Sequence, residues 1–150
     1  MSQSHSVLDA SGDIEGWGDE IGPDAFFDYL CEWDDAGYIM CAGTGAPGTS
    51  GNHDNTNQGI ADGHAYSLIA CKKGVCGRFN MVLFRNPWGS GEFDGVGGCA
   101  QWHDGGAMWD EYPDAMDDEL DYSPDPDDGL FWMEFKDACY YFESRVSRVS

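Results

Sequence analysis

Asp62-Gly63-His64-Ala65-Tyr66-Ser67-Leu68-Ile69-Ala70-Cys71 runs into a basic loop, Lys72-Lys73-Gly74-Val75-Cys76-Gly77-Arg78. Phe79-Asn80-Met81-Val82-Leu83-Phe84-Arg85-Asn86-Pro87-Trp88-Gly89 follows. Two apolar and aromatic runs, 64–71 and 79–86, flank a Gly-containing loop and predict an antiparallel hairpin. A register in which Leu68 faces Val82 and Cys71 faces Phe79 sets His64 directly opposite Asn86, with both side chains on one face. Directly opposed Cβ atoms lie roughly 4.5–5.5 Å apart, within reach of an amide–imidazole hydrogen bond. A seven-residue loop leaves that register open, and a slip of one residue sends the two side chains to opposite faces.

A histidine held by an asparagine is suited to activating a thiol. The amide oxygen is expected to accept the Nδ1 proton, which fixes the tautomer and leaves Nε2 for the nucleophile. A partly buried histidine with no chemistry, packed beside a strand, is the competing reading of the same pair.

Composition sets the outer bounds. The chain has 150 residues, 41% hydrophobic and 14% aromatic, enough for one domain with a real core. Its formal net charge is −21, and no Lys or Arg precedes Lys72. Nucleic acid and anionic membranes are poor partners for such a surface. The acidity fits either solubility in a salty or crowded setting or calcium, whose preferred ligands are carboxylates. No apolar run has the length of a transmembrane segment, and residues 1–12 lack the blocks of a signal peptide. Cys31, Cys41, Cys71, Cys76, Cys99 and Cys139 form no Cys-x-x-Cys pair and, in an intracellular setting, read as reduced core thiols. His5, His53, His64 and His103 are too dispersed for a zinc site.

Along the chain, residues 1–22 read as a flexible, acidic, Gly-rich lead-in. Pro23 and Asp24 open a helix with Phe26, Phe27, Leu30 and Trp33 on one stripe, and Gly37 stops it. A short strand at 38–42 follows. Residues 43–62 read as a loop: a flap beside His64 or a solvated insertion. Residues 90–106 are Gly-rich loop, with Trp102 and Trp109 as buried anchors. Ten carboxylates crowd residues 110–128, with a short helix expected near 114–120. A strand at 130–135, a helix at 136–142 and a tail at 146–150 complete the chain.

Three motifs in this order resemble the calpain family of papain-like cysteine peptidases: Gly63-His64-Ala65-Tyr66-Ser67, Arg85-Asn86-Pro87-Trp88-Gly89 and Asp128-Gly129-Leu130-Phe131-Trp132-Met133-Glu134-Phe135. Ala36-Gly37-Tyr38-Ile39-Met40-Cys41 resembles an earlier strand of the same half-domain. The resemblance implies an α+β fold over residues 23–145: the antiparallel β-barrel-like second half of the catalytic core, with peripheral helices. It implies that His64 is the base, that Asn86 orients it, that Trp88 shields the pair and that Pro87 fixes the turn. It also implies protein or peptide substrates and an intracellular, cytoplasmic setting. The family's nucleophile sits in a Gly-Asp-Cys-Trp motif on a preceding half, and none of the six cysteines stands in that setting. The expectation is therefore a cysteine endopeptidase half, inactive alone, whose partner is a preceding Cys-bearing subdomain. A non-catalytic module used for protein binding or scaffolding is the alternative. The family further places calcium in this half. Glu92, Asp104 and Asp128 match its acidic positions, whereas Leu130 replaces a family Glu and weakens the set.

Overall fold

The first helix, α1 (Pro23–Asp35), begins as its sequence predicts, with Asp24 in the first turn. Phe26, Phe27, Leu30 and Trp33 are its buried stripe. It ends in a paired cap: Gly37, at φ +76°, donates its N–H to Asp34 O at 2.9 Å, and Tyr38 N–H reaches Trp33 O at 3.0 Å. Glycine is favoured there because the left-handed backbone carries no Cβ penalty.

The computed structural model describes residues 4–6, 23–44, 60, 63–87, 102–125 and 128–149. Six antiparallel strands make one sheet: β1 (Ser4–Ser6), β2 (Ile39–Gly43), β3 (Ala65–Val75), β4 (Phe79–Arg85), β5 (Leu130–Glu134) and β6 (Glu143–Val149). Their order is β1-β6-β2-β3-β4-β5. Among the described residues the sheet is open, with β1 and β5 at its edges, and these residues form an α+β fold on an antiparallel sheet. Two terminal expectations change with it. Residues 4–6 pair with β6, and the segment read as a tail pairs with β2 through Met40↔Arg148 and Cys41↔Ser147.

The central hairpin is longer and tighter than its sequence suggested. β3 runs on through the basic residues to Val75, leaving a three-residue turn at 76–78. Leu68 faces Phe84, and Cys71 faces Val82, so neither expected partner is correct. A bulge between Leu68 and Ala70 shifts the pairing by one. Such an extra residue reverses the alternation of side chains. Tyr66 and Leu68 before it, and Cys71 after it, therefore enter the same core.

The sheet is covered on both faces at β3–β5. On one face α1 and α3 (Phe135–Tyr141) pack with Tyr66, Leu68, Val82, Phe84, Phe131 and Met133. Phe84 stacks on Phe142 with centroids 4.2 Å apart and planes 15° apart. On the other face Phe79, Met81 and Trp132 meet Trp102, Trp109 and Ala115. The period of two along β4 and β5 separates these two sets, as a two-sided strand requires. Trp102 and Trp109 are buried anchors, with Trp109 Nε1 donating to Trp102 O and His103 O. Among the described residues that follow, α2 (Ala107–Glu111) is succeeded by one π-helical turn (Ala115–Glu119), the latter where a short helix was expected. No helix among the described residues is long and apolar enough to cross a membrane.

Candidate active site

His64 sits just before β3, and Asn86 just after β4. Continuing the pairing Ser67↔Arg85 puts Asn86 opposite Tyr66, so His64 and Asn86 are diagonal rather than directly opposed. An offset of two residues preserves the face, and diagonal neighbours lie within reach of long side chains. The contact forms: His64 Nε2 and Asn86 Oδ1 are 3.0 Å apart. This corrects the expected ring orientation, since the amide addresses Nε2 and not Nδ1. Oδ1 only accepts, so Nε2 carries the proton and the lone pair of the neutral ring lies on Nδ1.

Asn86 is 1% exposed, whereas His64 is half-buried. Burial in a low-dielectric surrounding strengthens the hydrogen bond and holds the amide to one orientation. The Asn86 backbone is anchored too, its N–H donating to Gly129 O at 2.9 Å where the chain enters β5. Gly129 adopts φ +79°, a conformation glycine tolerates. Beneath the imidazole lies Tyr66, edge to face at 5.0 Å and 87°. Its other edge contacts reach Phe131 and Phe142, so the histidine stands at the rim of the main core. Two further residues, Thr44 and Gly129, hold this pair through backbone hydrogen bonds. Sequence reasoning passed over both. Thr44 sits at the edge of a Gly-rich stretch of sequence with no motif, and a backbone carbonyl leaves no mark in residue type. Pro87 is exposed in the turn after Asn86. Trp88 lies outside the described residues.

Three of the described thiols, Cys31, Cys71 and Cys76, are poor nucleophiles. Burial, with Asp28, Asp35 and Asp34 adding to it, pushes the Cys31 thiol from 9.0 up to about 11. Burial raises Cys71 further still, and raises Cys76 in company with Glu119 and Asp114. All three are held as neutral thiols, whereas a nucleophile must be a thiolate. Cys41 pairs with Ser67, on the face opposite Tyr66 and Leu68.

Asp104 and Asp128 are brought onto neighbouring loops. Asp104 accepts the Tyr122 hydroxyl at 2.6 Å and Asp125 N–H at 3.0 Å. Asp125 O in turn accepts Asp128 N–H at 3.3 Å, while Asp128 Oδ1 accepts Leu130 N–H at 2.8 Å. Carboxylates on two tied loops suit a hard cation in kind, but two fall short of the 6–8 oxygens calcium takes. Among the described residues no three His, Cys, Asp or Glu side chains converge on one point. Glu92, the third expected ligand, lies outside the described residues.

Comparison with known proteins bears on the family to which the chain belongs. The domain profile described as calpain family cysteine protease matches residues 3–147. Human calpain-12 is 34% identical over 91 residues, covering 59% of this chain and 12% of its own length. The calpain-type cysteine protease ADL1 of rice is 32% identical over 151 aligned positions, covering 92% of this chain and 6% of its own. The calpain-type cysteine protease DEK1 of Arabidopsis thaliana is 32% identical over 116 residues, 77% of this chain and 5% of its own. The chain thus spans a small part of the length of the curated relatives it matches. A profile match along nearly the whole chain, over a fold that joins the His64 and Asn86 motifs, places it in the calpain family of cysteine proteases.

Proposed function

We propose that this chain supplies the base-bearing half of a cysteine endopeptidase active site, with the nucleophilic cysteine contributed by a preceding subdomain. The observation that supports it is the 3.0 Å contact between His64 Nε2 and buried Asn86 Oδ1. With Nε2 committed to the amide, Nδ1 is the nitrogen that takes the thiol proton, forming a thiolate–imidazolium pair. The thiolate attacks the peptide carbonyl carbon, and the C–N bond breaks as Nδ1–H protonates the departing amine. An acyl-thioester remains. His64, now neutral, takes a proton from water, whose oxygen attacks the thioester and expels the thiolate. Asn86 keeps the ring in one plane through both proton transfers. Trp88, two residues on, shields the pair from solvent in this reading, with Pro87 setting the turn before it.

Protein and peptide segments are the substrates, read in a cleft between the two halves. Calcium is the cation that the loops around Asp104 and Asp128 take, with Glu92 and backbone oxygens completing the set. The test of the whole reading is peptide hydrolysis. The purified chain alone should show no turnover, and the chain joined to a Cys-bearing calpain half should turn over peptide and lose activity on His64→Ala. Thiol-reagent-sensitive turnover by the chain alone would contradict the division of the active site. Full activity of the joined His64→Ala protein would favour a scaffolding module.

A further inference from the structure

The last rung of the β2–β3 ladder is Gly43↔Ala65, and the same register sets Thr44 opposite His64. One bond of the next rung is regular: Thr44 N–H donates to His64 O at 2.9 Å. Its reciprocal is different. His64 N–H donates at 2.9 Å to the Thr44 hydroxyl, and that hydroxyl donates at 3.2 Å to His64 O. A side chain thus stands in for the backbone as acceptor, and Thr44 is 9% exposed. Three hydrogen bonds from one residue grip both backbone polar groups of His64.

His64 needs such a grip. It lies outside the regular strand, and the residue before it, Gly63, is exposed and at φ +60°. Glycine leaves the backbone more freedom than any other residue. The imidazole pivots about a Cα whose N-terminal neighbour is a glycine. We infer that Thr44 is a positioning residue that locks the His64 backbone and so aims its imidazole at Asn86. The inference rests on the reading of His64 as the base. A shift of about 1 Å in a reacting group is enough to cost on the order of a hundredfold in rate, so an anchor two atoms from the ring's Cα matters to chemistry.

The isotope-labelled 150-residue chain provides the test, through solvent exchange of the His64 Nε2–H proton followed by nuclear magnetic resonance. Wild type should show a protected resonance, and Thr44→Ser, which keeps the hydroxyl, should match it. Thr44→Val keeps the shape without the hydroxyl, and exchange should quicken by roughly tenfold or more; Thr44→Ala should behave likewise. Val75→Ala, in the other core cluster, is the control that lowers the melting temperature without touching His64. Wild-type exchange in Thr44→Val and Thr44→Ala would overturn the role given to Thr44. Equal quickening in Val75→Ala would overturn it too, by tracing the effect to general loosening. Asn86→Ala separates the two levels. If it removes protection while the Thr44 variants keep it, only the anchor fails. If it leaves protection intact, the His64–Asn86 pairing fails and takes this inference with it.

Discussion

His64 and Asn86 were legible as a pair because each stands in a motif, yet which ring nitrogen meets the amide was not. That choice depends on the diagonal approach across the hairpin, which residue types do not encode. Asp137 shows the same limit for charge. It lies in the first turn of α3, where a carboxylate ordinarily complements the helix end. Burial, then the neighbouring Glu134, raises its pKa from 3.8 to about 6, with Lys136 opposing. A carboxyl with a raised folded pKa stabilises the fold below its unfolded value. That contribution is lost as pH rises from about 4 through about 6. Asp137→Asn should therefore be more stable than wild type at pH 7, by about 1–2 kcal/mol after allowing for solvent screening. The gain should vanish near pH 4. Denaturant melts of both proteins across this range check it; a gain that grows on acidification would contradict the assignment.

At the scale of elements, the helix α1 was readable from end to end because its stripe, its proline and its stop glycine are all local signals. The hairpin was readable in kind but not in register. Lys72, Lys73 and Gly74 look like loop, yet they continue β3, and the true turn is only Cys76, Gly77 and Arg78. Asp34 helps to place this strand, accepting Cys71 N–H at 3.0 Å. The pairing error near His64 was two residues, which keeps faces; the bulge after Leu68 makes it three at Cys71, which does not. The strand and helix that follow, β5 and α3, bring Phe131 and Phe142 to Phe84. Phe84→Ala removes the ring that stacks on Phe142 in the core beneath the site, and should cost about 3–5 kcal/mol. An equilibrium urea titration reads this directly. A loss under about 1 kcal/mol would mean that α3 does not depend on this contact.

For the whole molecule, charge was plain in the composition while its arrangement was not. The −21 chain puts its few cations to local use, Lys73 pairing with Asp28 and Arg78 lying over Phe79. Asp104, Glu119 and Asp128 are tied by protein donors such as the Tyr122 hydroxyl, which spacing in the sequence does not reveal. If calcium joins these loops, a hundredfold excess over its dissociation constant should add about 2.7 kcal/mol. For a chain of this size that is a rise of roughly 5–10 °C in melting temperature. Magnesium, with its octahedral demand, should give less, and Asp128→Asn should lose most of the calcium shift. Equal shifts by both ions in both proteins would identify general charge screening.

The central claim is that His64 activates a cysteine from another part of the protease. It is tested most directly by the pH dependence of thiol alkylation in the chain joined to a Cys-bearing calpain half. With His64 present, the active-site thiol should react with iodoacetamide well below its ordinary pKa of about 8.5, because the imidazolium holds it as thiolate. His64→Ala should return the profile to that of an isolated thiol. Superimposable profiles in the two proteins would contradict the account.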